Sequence, residues 1–294
     1  MTGLSEIPSV LSGPALVAAL AALGLAVGVL TGLFGAGGAF LLNPLLNVLL
    51  GIPYTLAAGS SLSFIIGTSA AGWSRHLRLG NVAGKTMTIL AGGSVCGALL
   101  GARLHLHLEA ALSAWGPEAF TLTMHALFVL MLLPVAGLVL TWSPHAASRS
   151  LLQRLPLGPY ITIRRVGLHG VSLPGLCMVG LGIGVFSGLM GIGGGVLLMP
   201  VMMLAVGLDV RQAVGTSLGV ILFGSIAGAL MYGHSGQVNL WIVMSLLVGS
   251  TFGVQIGAYL NRRLQAGRIR RGFAVLALLC VALLIFDFLR KVLH

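Results

Sequence analysis

Two stretches of this chain carry residues suited to binding an anion in apolar surroundings: GVLTGLFGAGGAFLLNPLL (28–46) and GVFSGLMGIGGGVLLMPVM (184–202). Gly35, Gly37 and Gly38 in the first, and Gly191, Gly193, Gly194 and Gly195 in the second, admit backbone conformations closed to other residues and clear side chains from the approach. A helix that starts just after such a loop, inside a membrane, presents unpaired amide N–H groups and the positive end of its dipole. That end attracts anions. Close helix packing is the other use of membrane glycines. Pro44 and Pro200, in corresponding short segments, favour the binding reading, because paired broken segments are where transporter sites form. No Lys-Ser or Lys-Thr follows the glycines, which argues against a nucleotide loop.

A second pair, LAAGSSLSF (56–64) and QAVGTSLGV (212–220), supplies Ser60, Ser61, Thr216 and Ser217. Small hydroxyls near a helix start cap free amides, and equally they donate to an oxyanion; both readings stand. Asn43, Asn47, His125, Gln255 and Asp287 are the other polar residues deep in apolar runs, where a polar group is a functional candidate by default. Asn43 and Asn47, one helical turn apart, are placed to line a cavity. Gln255 fits a bridge between helices, and His125 either carries a proton or is a satisfied interior histidine. Asp287, near a helix end, is expected to reach toward water. So few buried carboxylates give no pattern of a sodium cage or proton relay, so a coupled proton would ride on the substrate. His105, His107 and Glu109 are spaced by two and fall on different helix faces, which argues against a metal site. Cys96, Cys177 and Cys280 show no CxxC pattern and read as apolar fillers. With no nucleophile triad, metal cluster or acid–base pair at membrane depth, neither an enzyme nor a bound cofactor is expected.

The elements that position these residues are membrane helices. Of 294 residues, 57% are hydrophobic and 7% charged, with mean hydropathy +1.06. Soluble domains carry about 25% charged residues. An open chain in hydrocarbon must satisfy its backbone within helices. Apolar segments fall at 14–33, 37–50, 55–73, 82–104 and 119–141, and again at 173–190, 193–206, 212–231, 239–261 and 272–290. This predicts an all-α integral membrane protein: a first repeat over 1–142, a basic cytoplasmic linker over 143–171 and a second repeat over 172–294. The N-terminal MTGLSEIPSVLSGP lacks the basic region of a cleavable signal peptide and reads as a short tail.

A shift of 156 positions lays one set of segments on the other without a gap from Gly28 to Ala102. Gly32 falls on Gly188, Gly35 on Gly191, Pro44 on Pro200, Ser61 on Ser217 and Gly101 on Gly257. The chain is an internal duplication, a common construction of secondary transporters. The pairs Gly97/Gly101 and Gly253/Gly257 read as helix contact faces.

Charge distinguishes parallel from inverted halves. If all ten segments cross, Arg75, Arg78, Lys85, Arg149, Arg154, Arg164, Arg165, Arg211, Arg262, Arg263, Arg268, Arg270 and Arg271 share one side, and only Arg103, Arg290 and Lys291 take the other. With the two short segments re-entrant, leaving eight spans, the division is 9 to 7. The positive-inside rule favours ten crossings, inverted repeats of five and both termini outside. The net charge of +11 therefore sets orientation and needs no nucleic acid. Arg75, Lys85 and Arg211 are placed to attract an anion to the mouths.

The duplicated GLFGAGG...P and GLMGIGGG...P, each followed by AAGSSL or AVGTSL, resemble the sulfite exporter TauE/SafE family, also called the toluene-sulfonate uptake permeases. The resemblance covers nearly the whole chain. It implies a bacterial or archaeal cytoplasmic-membrane transporter whose partners are the bilayer and a small sulfur-containing anion such as sulfite, sulfoacetate or a related sulfonate, with proton coupling left open. It also maps the family motif onto the two glycine loops and the two Ser/Thr elements. Ala39 opposite Gly195 leaves room for unequal halves. The alternatives are a passive anion channel on the same fold and a transporter of a non-sulfur organic anion.

Overall fold

A computed structural model describes residues 13–116, 118–141, 158–163 and 168–293. The N-terminal tail, apart from Gly13 and Pro14, and most of the linker, including Arg149, Arg154, Arg164 and Arg165, lie outside the described residues. Within these limits there are ten α-helices: α1 Pro14–Phe34, α2 Ala39–Leu50, α3 Tyr54–Arg78, α4 Gly84–Leu112, α5 Ala119–Thr141, α6 Leu173–Met190, α7 Gly195–Val201, α8 Val210–His234, α9 Leu240–Arg263 and α10 Ala266–Leu293. A π-helical turn, Met202–Val206, extends α7. Seven of the helices are long and apolar enough to cross a membrane. The linker adds a feature that composition did not foretell, an antiparallel pair of β1 (Tyr160–Ile163) and β2 (Leu168–Ser172) leading into α6.

Helix boundaries follow local chemistry. Pro14 opens α1, where its missing N–H costs nothing. Side chains of Ser172, Asp209 and Asn239 accept the first amides of α6, α8 and α9. Pro44 sits inside α2 and so leaves the Phe40 carbonyl without its helical partner. The Cys280 thiol of α10 donates to that oxygen at 3.4 Å, a role beyond apolar filling.

Glycine registers fix how the helices run. A Cβ on Gly24, Gly28 or Gly32 of α1 would strike the backbone of Leu246, Ser250 or Val254 of α9, so residue numbers rise together and the helices are parallel. Gly93, Gly97 and Gly101 of α4 meet α6 in the same rising order, which makes that pair parallel as well. Gly253 and Gly257 pack on α1 as the sequence suggested. Gly67 against Leu247 and Gly72 against Val254 set α3 parallel to α9. Gly219 against Met87 and Gly224 against Ser94 set α8 parallel to α4. By contrast α3 and α8 are antiparallel, with Gly228 on Leu62 and Gly72 on Leu218. Thus α1 and α3 run the same way, and α2 carries the chain back between them. Likewise α6 and α8 run together, and α7 makes the return.

These close contacts depend on hydrogen in place of a side chain, because apolar lipid gives no hydrophobic drive and packing must hold the helices together. Gly184→Ala would push a methyl into the backbone of Ser94. It should destabilise the detergent-solubilised protein by about 1–3 kcal/mol. Gly182→Ala, two residues away in open space, should be neutral or stabilising by about 0.5–1 kcal/mol. A thermal melt of both variants checks this contrast.

Candidate functional site

The glycine loops end α1 and α6 and begin α2 and α7. Gly35, Gly37 and Gly38 have φ of 67, 72 and 70°, and Gly191, Gly193 and Gly194 have 68, 68 and 71°. This left-handed run breaks each helix at a place a side-chain-bearing residue would resist. The next helices make their first bonds from Leu41 and Leu42 to the Gly38 carbonyl, and from Leu197 and Leu198 to the Gly194 carbonyl. The amides before them have no partner within their helix. The loops also touch each other. Gly195 packs on the backbone of Ala36, and the Gly37 and Gly193 positions both face Ile221 of α8 and Ile65 of α3.

The carbonyl ends are sealed. His76 Nε2 lies 3.3 Å from the Gly32 oxygen, and Tyr232 donates to the Gly188 oxygen at 2.9 Å. Asn261 donates to the Leu33 oxygen at 2.6 Å, and His105 Nδ1 lies 2.5 Å from the Leu189 oxygen. These pairs are counterparts under the 156-residue shift. Asn43, at 2.7 Å, and Tyr54, at 3.4 Å, add bonds to the Met190 oxygen. His76, Tyr232 and Asn261 escaped the sequence reading because the repeat keeps their geometry and changes their identity. Only a search for unlike residues at equal offsets would have found them.

The hydroxyl elements act across the halves. Ser60 accepts the Asn239 N–H and Thr216 the Ala83 N–H, each at 3.0 Å. They therefore hold the starts of α9 and α4, while α3 and α8 begin well upstream at Tyr54 and Val210. Ser217 donates to the Gly35 carbonyl at 2.7 Å. Thr31 bonds the Val27 oxygen and Ser69 the Ile65 oxygen. Their counterparts Ser61, Ser187 and Ser225 are fully buried with no partner. All three belong to the second loop's surroundings. Ser225 faces Gly193, Ser187 lies beside Gly194, and Ser61 is one turn from Ala58, on which Gly191 packs.

A cavity of about 920 Å³ opens between α2, α3, α4, α5 and α10, lined by Asn47, Tyr54, Glu109, Glu118, Asp287 and Lys291 among others, with Tyr54 between it and the end of α6. Asn47 thus reaches the cavity, while Asn43 is buried beneath it. Met203 and Leu204, the repeat counterparts of Asn47 and Val48, border only a crevice of about 10 Å³. Asp287 borders the large cavity but is only 4% exposed, with Oδ2 3.4 Å from His125 Nδ1 and 3.5 Å from Lys291 Nζ. Lys291 also pairs with Glu118 at 2.9 Å. Arg75, Lys85 and Arg211 lie at the opposite face, and Arg211 donates to the Arg262 carbonyl. Gln255 is exposed on α9 and makes no bridge. Among the described residues no three His, Cys, Asp or Glu side chains gather as a metal site.

Ser61 and Ser217 give a direct comparison. Ser217→Ala removes a buried hydrogen bond and should cost about 1 kcal/mol. Ser61→Ala removes no bond and should leave the melting temperature unchanged or raised.

The sulfite exporter TauE/SafE family model matches residues 20–284. YjnA of Bacillus subtilis, a probable membrane transporter protein, is 31% identical over 242 residues, 82% of this chain and 89% of the relative. YdhB of the same organism, likewise a probable membrane transporter protein, is 29% identical over 232 residues, 79% of this chain and 85% of the relative. A probable membrane transporter protein of Methanocaldococcus jannaschii is 26% identical over 262 residues, 84% of this chain and 87% of the relative. No solved structure matches the chain. Matched almost from end to end through both glycine loops, the chain belongs to the sulfite exporter TauE/SafE family, multi-pass membrane transporters of bacteria and archaea rather than enzymes.

Proposed function

We propose that the protein is a secondary transporter of small sulfur-containing anions, sulfite or an organosulfonate such as sulfoacetate, working by alternating access between two inverted halves. The observation that carries the reading is the second glycine loop. Three unpartnered buried hydroxyls, Ser61, Ser187 and Ser225, surround it, the amides that open α7 have no partner within their helix, and Tyr54, bonded to the Met190 oxygen just before the loop, lines the large cavity. Amides and hydroxyls supply only donors, the complement of an oxyanion that has left its water behind. Gly191, Gly193, Gly194, Ser61, Ser187 and Ser225 form the site in the present state. Gly35, Gly37, Gly38 and the Ser217 region take the equivalent place from the other side.

The helix directions support inversion. Antiparallel α3 and α8, with α1 parallel to α9 and α6 parallel to α4, are what a two-fold axis in the membrane plane produces. Arg75, Lys85, Arg211, Arg262, Arg268 and Arg270 gather at the closed face, which makes it cytoplasmic by the positive-inside rule. The cavity then faces outward, and Arg290 and Lys291 stand at its mouth. Rocking of the halves would close this cavity and open the one at Met203.

Proteoliposomes loaded with unlabelled sulfite or sulfoacetate test the proposal by counterflow of the labelled anion. Acceleration by the internal anion is the expected result; flux without acceleration would mean a channel. Gly37→Val and Gly193→Val should abolish transport while the protein stays in the membrane. Ser225→Ala should raise the half-saturation concentration about tenfold, since a hydrogen bond to a charged group contributes about 1.5–3 kcal/mol. Its melting temperature should not fall, because no protein bond is lost.

A further inference from the structure

Between the cavity and the end of α6 run three side chains in hydrogen-bond contact. Glu109 Oε1 lies 2.5 Å from Thr55 Oγ1, which lies 3.1 Å from His105 Nε2, and His105 Nδ1 lies 2.5 Å from the Leu189 carbonyl. Glu109 borders the cavity, whereas Thr55 and His105 are buried. Counting hydrogens sets the charge state of this chain. The Leu189 carbonyl only accepts, so Nδ1 must carry a hydrogen. Thr55 has one hydrogen for two neighbours. If Glu109 is a carboxylate, Thr55 donates to it and Nε2 must be protonated to bond the Thr55 oxygen. If His105 is neutral, Thr55 donates to Nε2 and Glu109 must bring its own hydrogen. All three contacts are satisfied only when the pair holds one proton more than a carboxylate and a neutral imidazole.

We propose that Glu109, Thr55 and His105 form a proton-binding site, open to the cavity through Glu109 and coupled to the second glycine loop through His105. Transfer inward breaks the Glu109 O–H bond as a hydrogen forms on Thr55 Oγ1. The original Thr55 O–H breaks as the Nε2–H bond forms, and one proton has moved with no change in oxidation. Removal of the proton leaves one contact unmet. The gap falls between Thr55 and Nε2, or between Thr55 and the Glu109 carboxylate when Thr55 turns its hydrogen to Nε2, or, if the ring hydrogen shifts to Nε2, at the Leu189 carbonyl. Only the proton-filled site meets the contact to the end of α6, just before Gly191, together with both other contacts.

The second half argues that the fold alone does not need these groups. The counterparts of Thr55, His105 and Glu109 are Arg211, Asn261 and Gln265. Asn261 holds the Leu33 carbonyl without a titratable ring. Among the described residues, the other ionisable groups around these three side chains do not bond them. Tyr54 from α3 and Tyr232 from α8 flank the His105 ring and donate to carbonyls of α6. On α5 and α10, His125 faces Asp287, and Lys291 joins Asp287 to Glu118. Arg290 borders the same cavity, and Arg103 and His107 on α4 are exposed.

The proton site rests on this geometry; its use in transport rests on the function proposed above, and two measurements separate them. Infrared spectra of the purified protein across pH should show a protonated-carboxyl C=O band that Glu109→Gln removes and His107→Gln leaves in place. His105→Asn, which copies the Asn261 arrangement, should melt like the wild type yet shift the pH at which the band titrates. A band unchanged in Glu109→Gln, or titrating as wild type in His105→Asn, overturns the site. In proteoliposomes, an imposed pH gradient should accelerate labelled sulfoacetate uptake by the wild type, and Glu109→Gln should lose the acceleration. Acceleration retained in Glu109→Gln overturns the coupling. A normal infrared response with no sulfoacetate or sulfite uptake upholds the proton site and removes the sulfur-anion reading.

Discussion

A helix cannot be broken inside hydrocarbon without leaving backbone groups that no water will satisfy, and this constraint organises the molecule. Each break leaves carbonyls behind it and amides ahead. The carbonyls of α1 are taken by His76 and Asn261, and those of α6 by Tyr232, His105, Asn43 and Tyr54. The amides are left for something else. Partners for the carbonyls come from α2, α3, α4, α8 and α9, so the elements that seal the breaks also bind the two halves together.

Duplication supplies a comparison inside one chain. Where both halves agree, as with Ser60 and Thr216 on the opposite helix starts, the geometry serves assembly. Where they differ, the difference needs its own account. Ser217, Thr31 and Ser69 are bonded and their counterparts Ser61, Ser187 and Ser225 are not; His105 and Glu109 carry ionisable side chains where Asn261 and Gln265 carry amides. Each of these differences lies around the second loop or between it and the large cavity. A lone orphaned hydroxyl is unremarkable, but three around one glycine loop share an explanation in a missing oxyanion.

Much of this was legible in the sequence, because the repeat, the helix segments and the glycine breaks are written in residue identity. The contact faces at Gly97/Gly101 and Gly253/Gly257 could be read for the same reason. What could not be read depends on contacts distant in sequence. Nothing near Asp287 predicts that it is buried against His125, and spacing alone hides that Glu109 and His105 meet Thr55. Ser60 and Thr216 pointed to an oxyanion or to their own helices, and their partners proved to be the starts of α9 and α4. The strand pair in the linker had no signal in a segment rich in Pro, Gly and Arg.

The central claim is that one cavity opens as its counterpart closes. Asn47 and Met203 are repeat counterparts, one at the open cavity and one at the closed position. With Cys96, Cys177 and Cys280 replaced, Asn47→Cys and Met203→Cys can be labelled with a membrane-impermeant thiol reagent from either face, with and without sulfite or sulfoacetate. The account predicts that Asn47→Cys reacts only from outside and Met203→Cys only from the cytoplasm, and that the anion changes the two rates in opposite directions. Rates that rise or fall together, or a Met203→Cys that never reacts, would contradict it.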